Sequence, residues 1–135
     1  MTSLPPLVAV VEDDSQTLKA LSRALNARGY DVACYSSAEG FLQSPPSRLP
    51  GCLVLDIQLE GMSGLDLQRR LRALGSTLPV VVLTGTDDPR IRAESYELGC
   101  VKYLLKETDG DTLPAVLQSL LHPSPSGDTD SPKGQ

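Results

Sequence analysis

The chain predicts an α/β fold: a doubly wound, five-stranded parallel sheet in the order 2-1-3-4-5, with helices on both faces. Three observations carry that expectation. Short apolar β-type runs alternate with helix-period stripes five times, the pattern of a parallel sheet with crossover helices. The runs are apolar throughout rather than at every second residue, as suits strands buried on both faces. Finally, Glu12-Asp13-Asp14, Asp56, Thr84 and Lys106 each stand at or just past the end of such a run. Open parallel sheets bind their ligands at that rim.

Leu7–Val11 is the first strand. Ser15 is placed to cap the helix after it. Leu18, Leu21 and Leu25 form that helix's stripe, and Gly29 stops it. Asp31–Tyr35 is the second strand. Ser36 or Ser37 opens a short helix through Gln43, ended by Pro45-Pro46. Leu53–Leu55 is the third strand and leads into Asp56, with Gly61 and Gly64 marking a turn. Leu65, Leu67, Leu71 and Leu74 fit a helix over Leu65–Leu74, closed by Gly75.

Val80–Leu83 is the fourth strand. Asp87 or Asp88 caps the next helix, with Pro89 in its first turn and Gly99 at its end. Val101–Leu105 is the fifth strand. Asp109 or Asp111 begins the last helix, whose stripe is Leu113, Val116, Leu117, Leu120 and Leu121. Residues 1–121 thus form one domain. Residues 122–135, rich in Pro, Ser, Gly and Asp, read as a disordered tail or the start of a linker. Five units are too few for an eight-fold barrel. A flavodoxin-like sheet places its switch point between strands 1 and 3, which lead to Glu12-Asp13 and Asp56.

A chain of 135 residues with 40% hydrophobic and 21% charged content is a globular domain with a real core. Its net charge of −5 and lack of a Lys/Arg-rich run argue against direct nucleic-acid binding. No apolar run approaches the about 20 residues of a membrane span. Met1–Pro6 lacks the basic and apolar regions of a signal peptide. A cytoplasmic location is expected. Cys34, Cys52 and Cys100 are scattered and His122 is the one histidine, which disfavours a zinc site. The cysteines are expected to be buried free thiols.

Carboxylates about 4 Å apart repel by roughly 4 kcal/mol per pair at an effective dielectric of about 20. Glu12, Asp13 and Asp56 therefore need compensation from a divalent cation, from an ammonium such as Lys106, or from both. Mg²⁺ suits such a rim, because it takes one or two carboxylates and phosphate oxygens. Asp56 is then free to act as a nucleophile. Taken singly, each residue has a plainer account: a helix-capping acidic run, a turn aspartate, a strand-end hydroxyl, a surface lysine. Their joint placement favours phosphoryl chemistry.

Five stretches carry a resemblance: Val10-Val11-Glu12-Asp13-Asp14, Leu55-Asp56-Ile57, Gly61-Met62-Ser63-Gly64, Val82-Leu83-Thr84-Gly85 and Tyr103-Leu104-Leu105-Lys106. In this order the chain resembles the receiver domain of two-component response regulators, over about Leu7 to Leu121. The resemblance implies that Asp56 accepts a phosphoryl group from a histidine kinase or a histidine phosphotransfer protein. It implies Mg²⁺ held by Glu12, Asp13, Asp56 and the backbone carbonyl of Gln58. Thr84 would hydrogen-bond the phosphoryl group and Lys106 would pair with its charge, while Gly85 leaves room for the donor or water. Thr84 and Tyr103 would form the switch, and Gln58 and Thr86 would tune dephosphorylation. A domain of this kind acts only on its own phosphoryl group and is not an enzyme for external substrates. Its output surface, expected over Asp88–Leu121 with Ile91 and Tyr103 as contacts, would serve a partner protein, an output domain or a homodimer.

Three positions depart from the family pattern. Asp14 is an extra acid, expected to face the first helix. Glu60 replaces a common proline. Glu107 replaces the proline that usually follows the lysine through a cis bond. A cis bond before a non-proline residue costs about 3–4 kcal/mol, so Lys106-Glu107 is expected to be trans. Glu107 also leaves open a rival reading, a protein-binding module of the same fold that is not phosphorylated. An aspartyl-nucleophile phosphatase is disfavoured because Gln58 stands where its second acid would be. A nucleotide-binding domain is disfavoured because no glycine-rich phosphate loop follows the first strand.

Overall fold

The structure is a computed structural model and describes residues 4–122. Strands β1 (Leu7–Val11), β2 (Asp31–Tyr35), β3 (Cys52–Leu55), β4 (Val80–Thr84) and β5 (Lys102–Leu105) form one sheet. Its order is β2-β1-β3-β4-β5, and every neighbouring pair is parallel, as expected from the sequence. Every residue of β1, β3 and β4 is buried. The helices are α1 (Ser15–Ala27), α2 (Ala38–Gln43), α3 (Gly64–Ala73), α4 (Pro89–Glu97), α5 (Lys106–Asp109) and α6 (Leu113–Leu121).

Successive strand residues point to opposite faces, so the sheet builds two cores. Val8, Val10, Val54, Val81 and Leu83 pack with Leu25 of α1 and with Leu113 and Leu117 of α6. Ala9, Val11, Leu53, Leu55 and Val82 pack with Phe41 of α2, Leu65 and Leu67 of α3, and Tyr103. Ile91 of α4 is half-buried against this second core. The register Val11 to Leu55 and Thr84 to Leu105 lines up the ends of β1 with β3 and of β4 with the edge strand β5. Glu12, Asp56, Thr84 and Lys106 therefore emerge on one rim.

Local details differ from expectation in four places. Asp14, not Ser15, caps α1: its Oδ1 accepts from Gln16 N at 3.0 Å and Thr17 N at 3.4 Å. Aspartate and serine cap about equally well, so only the entry of the chain decides between neighbours. The expected last helix starts earlier and in three pieces: α5, a 3₁₀ turn over Gly110–Thr112, and α6. Pro114 has no N–H for the Gly110 carbonyl, so Leu113 N bonds it instead and the turn tightens. Leu74 follows α3 and is 69% exposed rather than part of its buried stripe. Ser63 caps α3 through Asp66 N at 3.1 Å, a role the sequence did not single out. The other caps follow expectation, with Ser37 on α2 and Asp88 before Pro89 on α4. His122 ends α6, and the rest of the expected tail, residues 123–135, lies outside the described residues. No described helix is long and apolar enough to cross a membrane.

The thiols also need correction. Cys52 and Cys100 are buried, but Cys34 is exposed, because β2 is an edge strand with only partial cover. Burial pushes the Cys52 thiol up to about 12 and raises that of Cys100 as well. A maleimide should therefore label one thiol in the folded protein and three after denaturation. Cys34→Ser should abolish the native label, and rapid native labelling of two or more would contradict this packing.

Candidate functional site

The site lies past the carboxyl ends of β1, β3, β4 and β5. Asp56 N donates to Val11 O at 3.1 Å, fastening the end of β3 to β1. This brings Asp56, 5% exposed, beside Glu12, 2% exposed. Lys106 Nζ bridges the two acids, 2.6 Å from Glu12 Oε1 and 3.0 Å from Asp56 Oδ2. The buried Thr84 hydroxyl donates to Asp56 Oδ1 at 2.7 Å, and Gln58 N donates to the same oxygen at 3.1 Å. Glu12 Oε2 accepts from Asp14 N at 3.1 Å. Asp13, nearer solvent, accepts from Glu60 N through Oδ2 at 3.0 Å.

One oxygen each from Glu12, Asp13 and Asp56 lie within 4.8 Å of one another. This donor set is all carboxylate oxygen, with no nitrogen or sulfur, and so suits a hard divalent cation such as Mg²⁺. Burial pushes the Glu12 carboxyl above its ordinary value, outweighing the hydrogen bonds from Lys106 and Asp14. Burial alone would depress the Lys106 ammonium, but its bonds to Glu12 and Asp56 outweigh that and raise it. Both shifts mark a site with more negative than positive charge held out of water.

The loop after Asp56 is shaped by glycine. Gly64 N donates to Ile57 O at 2.9 Å. A Cβ at Gly64 would fall 2.7 Å from Ile57 Cα and collide with the Asp56 carbonyl. Only glycine lets α3 start directly beneath the Asp56 backbone.

A second chain of bonds leaves the site through β4. Thr86 N donates to Thr84 Oγ1 at 3.3 Å, and the Tyr103 hydroxyl donates to Thr86 O at 2.8 Å. Tyr103 is buried and points inward, with the Arg92 guanidinium 5.3 Å from its ring centre. Gln58 Oε1 lies 4.0 Å from where a Cβ on Gly85 would stand, so that side chain borders the space over Gly85.

The structure brings Glu12, Asp13, Asp56, Thr84 and Lys106 together, attaches Gln58 to Asp56 through its backbone N–H, and links Thr86 and Tyr103 to the site through Thr84. Among the described residues no peptide bond is cis, so Lys106-Glu107 is trans as expected. Lys106 itself opens α5, and Asp109 Oδ2 reaches back to Leu105 N at 3.0 Å. The lysine reaches both acids without a proline turn. Sequence reasoning missed Glu39, whose Oε2 accepts from Met62 N at 2.9 Å, and treated Glu60 as incidental. A one-residue carboxylate on a short helix gives no sequence signal of its own.

Comparison with known proteins agrees with this geometry. The family model of the response regulator receiver domain matches residues 8–118, and the chain belongs to that family. It is a signal-receiving module of two-component systems. Response regulator protein TodT of Pseudomonas putida is 30% identical over 133 residues, which cover 98% of this chain and 59% of TodT. Transcriptional regulatory protein FixJ of Bradyrhizobium diazoefficiens is 31% identical over 114 residues, 84% of this chain and 56% of FixJ. The chain therefore spans under three fifths of the length of these curated relatives. A solved receiver protein from Pseudomonas putida superposes with a TM-score of 0.77 at 31% identity, covering 87% of this chain and 99% of that one. Full-length FixJ from B. japonicum gives 0.78 at 29% identity, covering 88% of this chain and 59% of FixJ.

The charge balance makes two substitutions move stability in opposite directions. Lys106→Met leaves Glu12 and Asp56 facing each other and should cost about 2 kcal/mol, less than a fully buried pair because the lysine is partly exposed. Asp56→Asn leaves a one-to-one Glu12–Lys106 pair and an acceptor for Thr84, and should add up to about 1 kcal/mol. Urea unfolding without divalent cations measures both. Equal and opposite results to these would sink the repulsion argument.

Proposed function

We propose that the protein is a phosphorylatable receiver. Asp56 takes a phosphoryl group from a histidine kinase or histidine phosphotransfer protein, with Mg²⁺ at the acidic cluster. The observation that carries this reading is a buried Asp56 held between Lys106, Thr84 and the neighbouring Glu12 and Asp13 carboxylates.

In the transfer, a carboxylate oxygen of Asp56 forms a bond to phosphorus as the donor's phosphorus–nitrogen bond breaks. The electron pair of that bond returns to the leaving imidazole. Lys106, already at Asp56, pairs with the incoming charge. Thr84 turns its hydroxyl from Asp56 to a phosphoryl oxygen. Glu12, Asp13, Asp56 and the backbone carbonyl of Gln58 would hold Mg²⁺, which when bound neutralises charge on the transferring oxygens. Gln58 and Thr86 flank the approach of water and set how fast the phosphoryl group is hydrolysed. With Gln58 in place of a second acid, the protein acts on its own phosphoryl group rather than on external substrates.

The switch runs through Thr84. Its oxygen accepts Thr86 N–H, and the Thr86 carbonyl holds the Tyr103 hydroxyl. A shift of Thr84 toward the phosphoryl group therefore reaches β5 and α4, a local charge event biasing a packed element. The receiving unit covers residues 1–121. Its Asp88–Leu121 face, with the half-buried Ile91, is the surface for a partner, an output domain or a second copy; Tyr103 is buried and acts on that face from beneath rather than as the contact expected of it. The name of FixJ, a transcriptional regulatory protein, supports an output of that regulatory kind.

Intact mass after incubation with Mg²⁺ and a small phosphodonor should show one added phosphoryl group on the wild type and none on Asp56→Ala. No gain in the wild type, also with a phosphorylated histidine donor, would favour the unphosphorylated binding module. Saturating Mg²⁺ should raise the wild-type melting temperature and leave Asp13→Ala unmoved; at about 100 times Kd the gain is about 2.7 kcal/mol.

A further inference from the structure

The β3–α3 loop is gripped by two carboxylates from outside it. Asp13 accepts from Glu60 N at 3.0 Å, and Glu39 of α2 accepts from Met62 N at 2.9 Å. Between them, Gly61 takes a φ of 76°, in the left-handed region that favours glycine. A Cβ there would also collide with Glu39 Oε2, so the Glu39 carboxylate fills the space under the turn. The other oxygen of Glu39 is buried and lacks a hydrogen-bond partner. Glu39 as a whole is half-buried, so this one oxygen is the unsatisfied part of its carboxylate. The Met62 N–H, first among its contacts, holds this carboxyl below its usual value, so it is charged at neutral pH.

We propose that Glu39 is a positioning residue for the acidic cluster. By fixing Met62 and Gly61 it presents the Glu60 N–H to Asp13, which holds the Asp13 carboxylate in the orientation a divalent cation needs. The inference rests on the Mg²⁺ reading above and extends it to a residue on α2. A carboxylate offers about four lone-pair sites over its two oxygens, so with the Glu60 amide on Oδ2 the Asp13 carboxylate still has sites left for a cation. Groups that orient metal ligands from behind typically change metal affinity 10–100-fold. Glu60 is essential to the scheme through its backbone alone. A proline at this position, which the resemblance would lead one to expect, has no N–H to give, so the amide bond to Asp13 exists here because residue 60 is Glu.

The test is a Mg²⁺ titration by calorimetry, at a temperature where circular dichroism shows each variant folded. Glu39→Ala should weaken Mg²⁺ binding on the order of 10-fold and speed amide exchange at Glu60 and Met62 without the metal. Glu39→Gln keeps an acceptor oxygen and should restore both toward wild type. Glu60→Pro should weaken Mg²⁺ binding as well, and adding Glu39→Ala to it should cost nothing more, because both act through one bond. Wild-type affinity in Glu39→Ala, or full additivity in the double variant, overturns the proposal while leaving the Mg²⁺ reading intact. Absence of Mg²⁺ binding in the wild type overturns both.

Discussion

Two acids buried side by side, with one lysine to neutralise them, are the constraint on which the site depends. The switch point of the sheet puts β1 and β3 next to each other, so Glu12 and Asp56 cannot avoid contact. The reach of each partner matches its strand. Thr84 leaves β4, the immediate neighbour of β3, and a short hydroxyl suffices to touch Asp56. Lys106 follows β5, two strands away, about 10 Å at the usual strand spacing. Only a long side chain closes that gap, and its ammonium arrives between both acids. Arginine would span it too, but its planar fork fits one carboxylate in two bonds better than two carboxylates in one each.

The same geometry separates a rigid base from a softer side. β1, β3 and β4 are buried along their whole length, so the acids and Thr84 rest on close-packed strands that resist small displacements. α4 is held differently. Ser95 is its one buried residue, and it pairs with the buried Gln68 of α3 through two hydrogen bonds. Arg69 adds an ion pair to Glu94, and Arg72 reaches the Glu97 carbonyl. Polar bonds of this kind are worth about 1 kcal/mol each and re-form after a small slide, whereas interdigitated apolar packing does not. α4 is therefore the neighbour of the site best able to shift under the switch proposed above.

What the sequence made legible was whatever repeats or sits at a boundary. Strand order, both cores and the converging rim all follow from apolar runs and the residues that end them. The failures are local and share a cause, because each depended on which neighbour the chain meets in space. Asp14 rather than Ser15 caps α1 since the entry angle decides between two good caps. Cys34 is exposed because strand order, not strand composition, makes β2 an edge. The break before α6 was implicit in Pro114, which has no N–H to give the Gly110 carbonyl. Glu39 left no trace at all: its partner is a backbone amide 23 residues away, and backbone partners carry no sequence pattern.

The two absent prolines belong to one argument. Glu60 and Glu107 both stand where the family pattern has proline, and each restores a backbone N–H and a freer chain. A proline stiffens a turn by reducing the freedom of the unfolded chain, an effect of about 0.4–1 kcal/mol. Here hydrogen bonds of similar size take over. Glu60 N is tied to Asp13, and Leu105 N, just before the second turn, is tied to Asp109. The trans bond at Lys106-Glu107 then lets α5 begin at the lysine itself. The exchange has a physical consequence. A proline turn is equally stiff whatever the charge beside it, but a turn held by a carboxylate is stiff only while that carboxylate accepts. The shape of the first loop is thereby tied to Asp13 as its acceptor, a member of the acidic cluster itself.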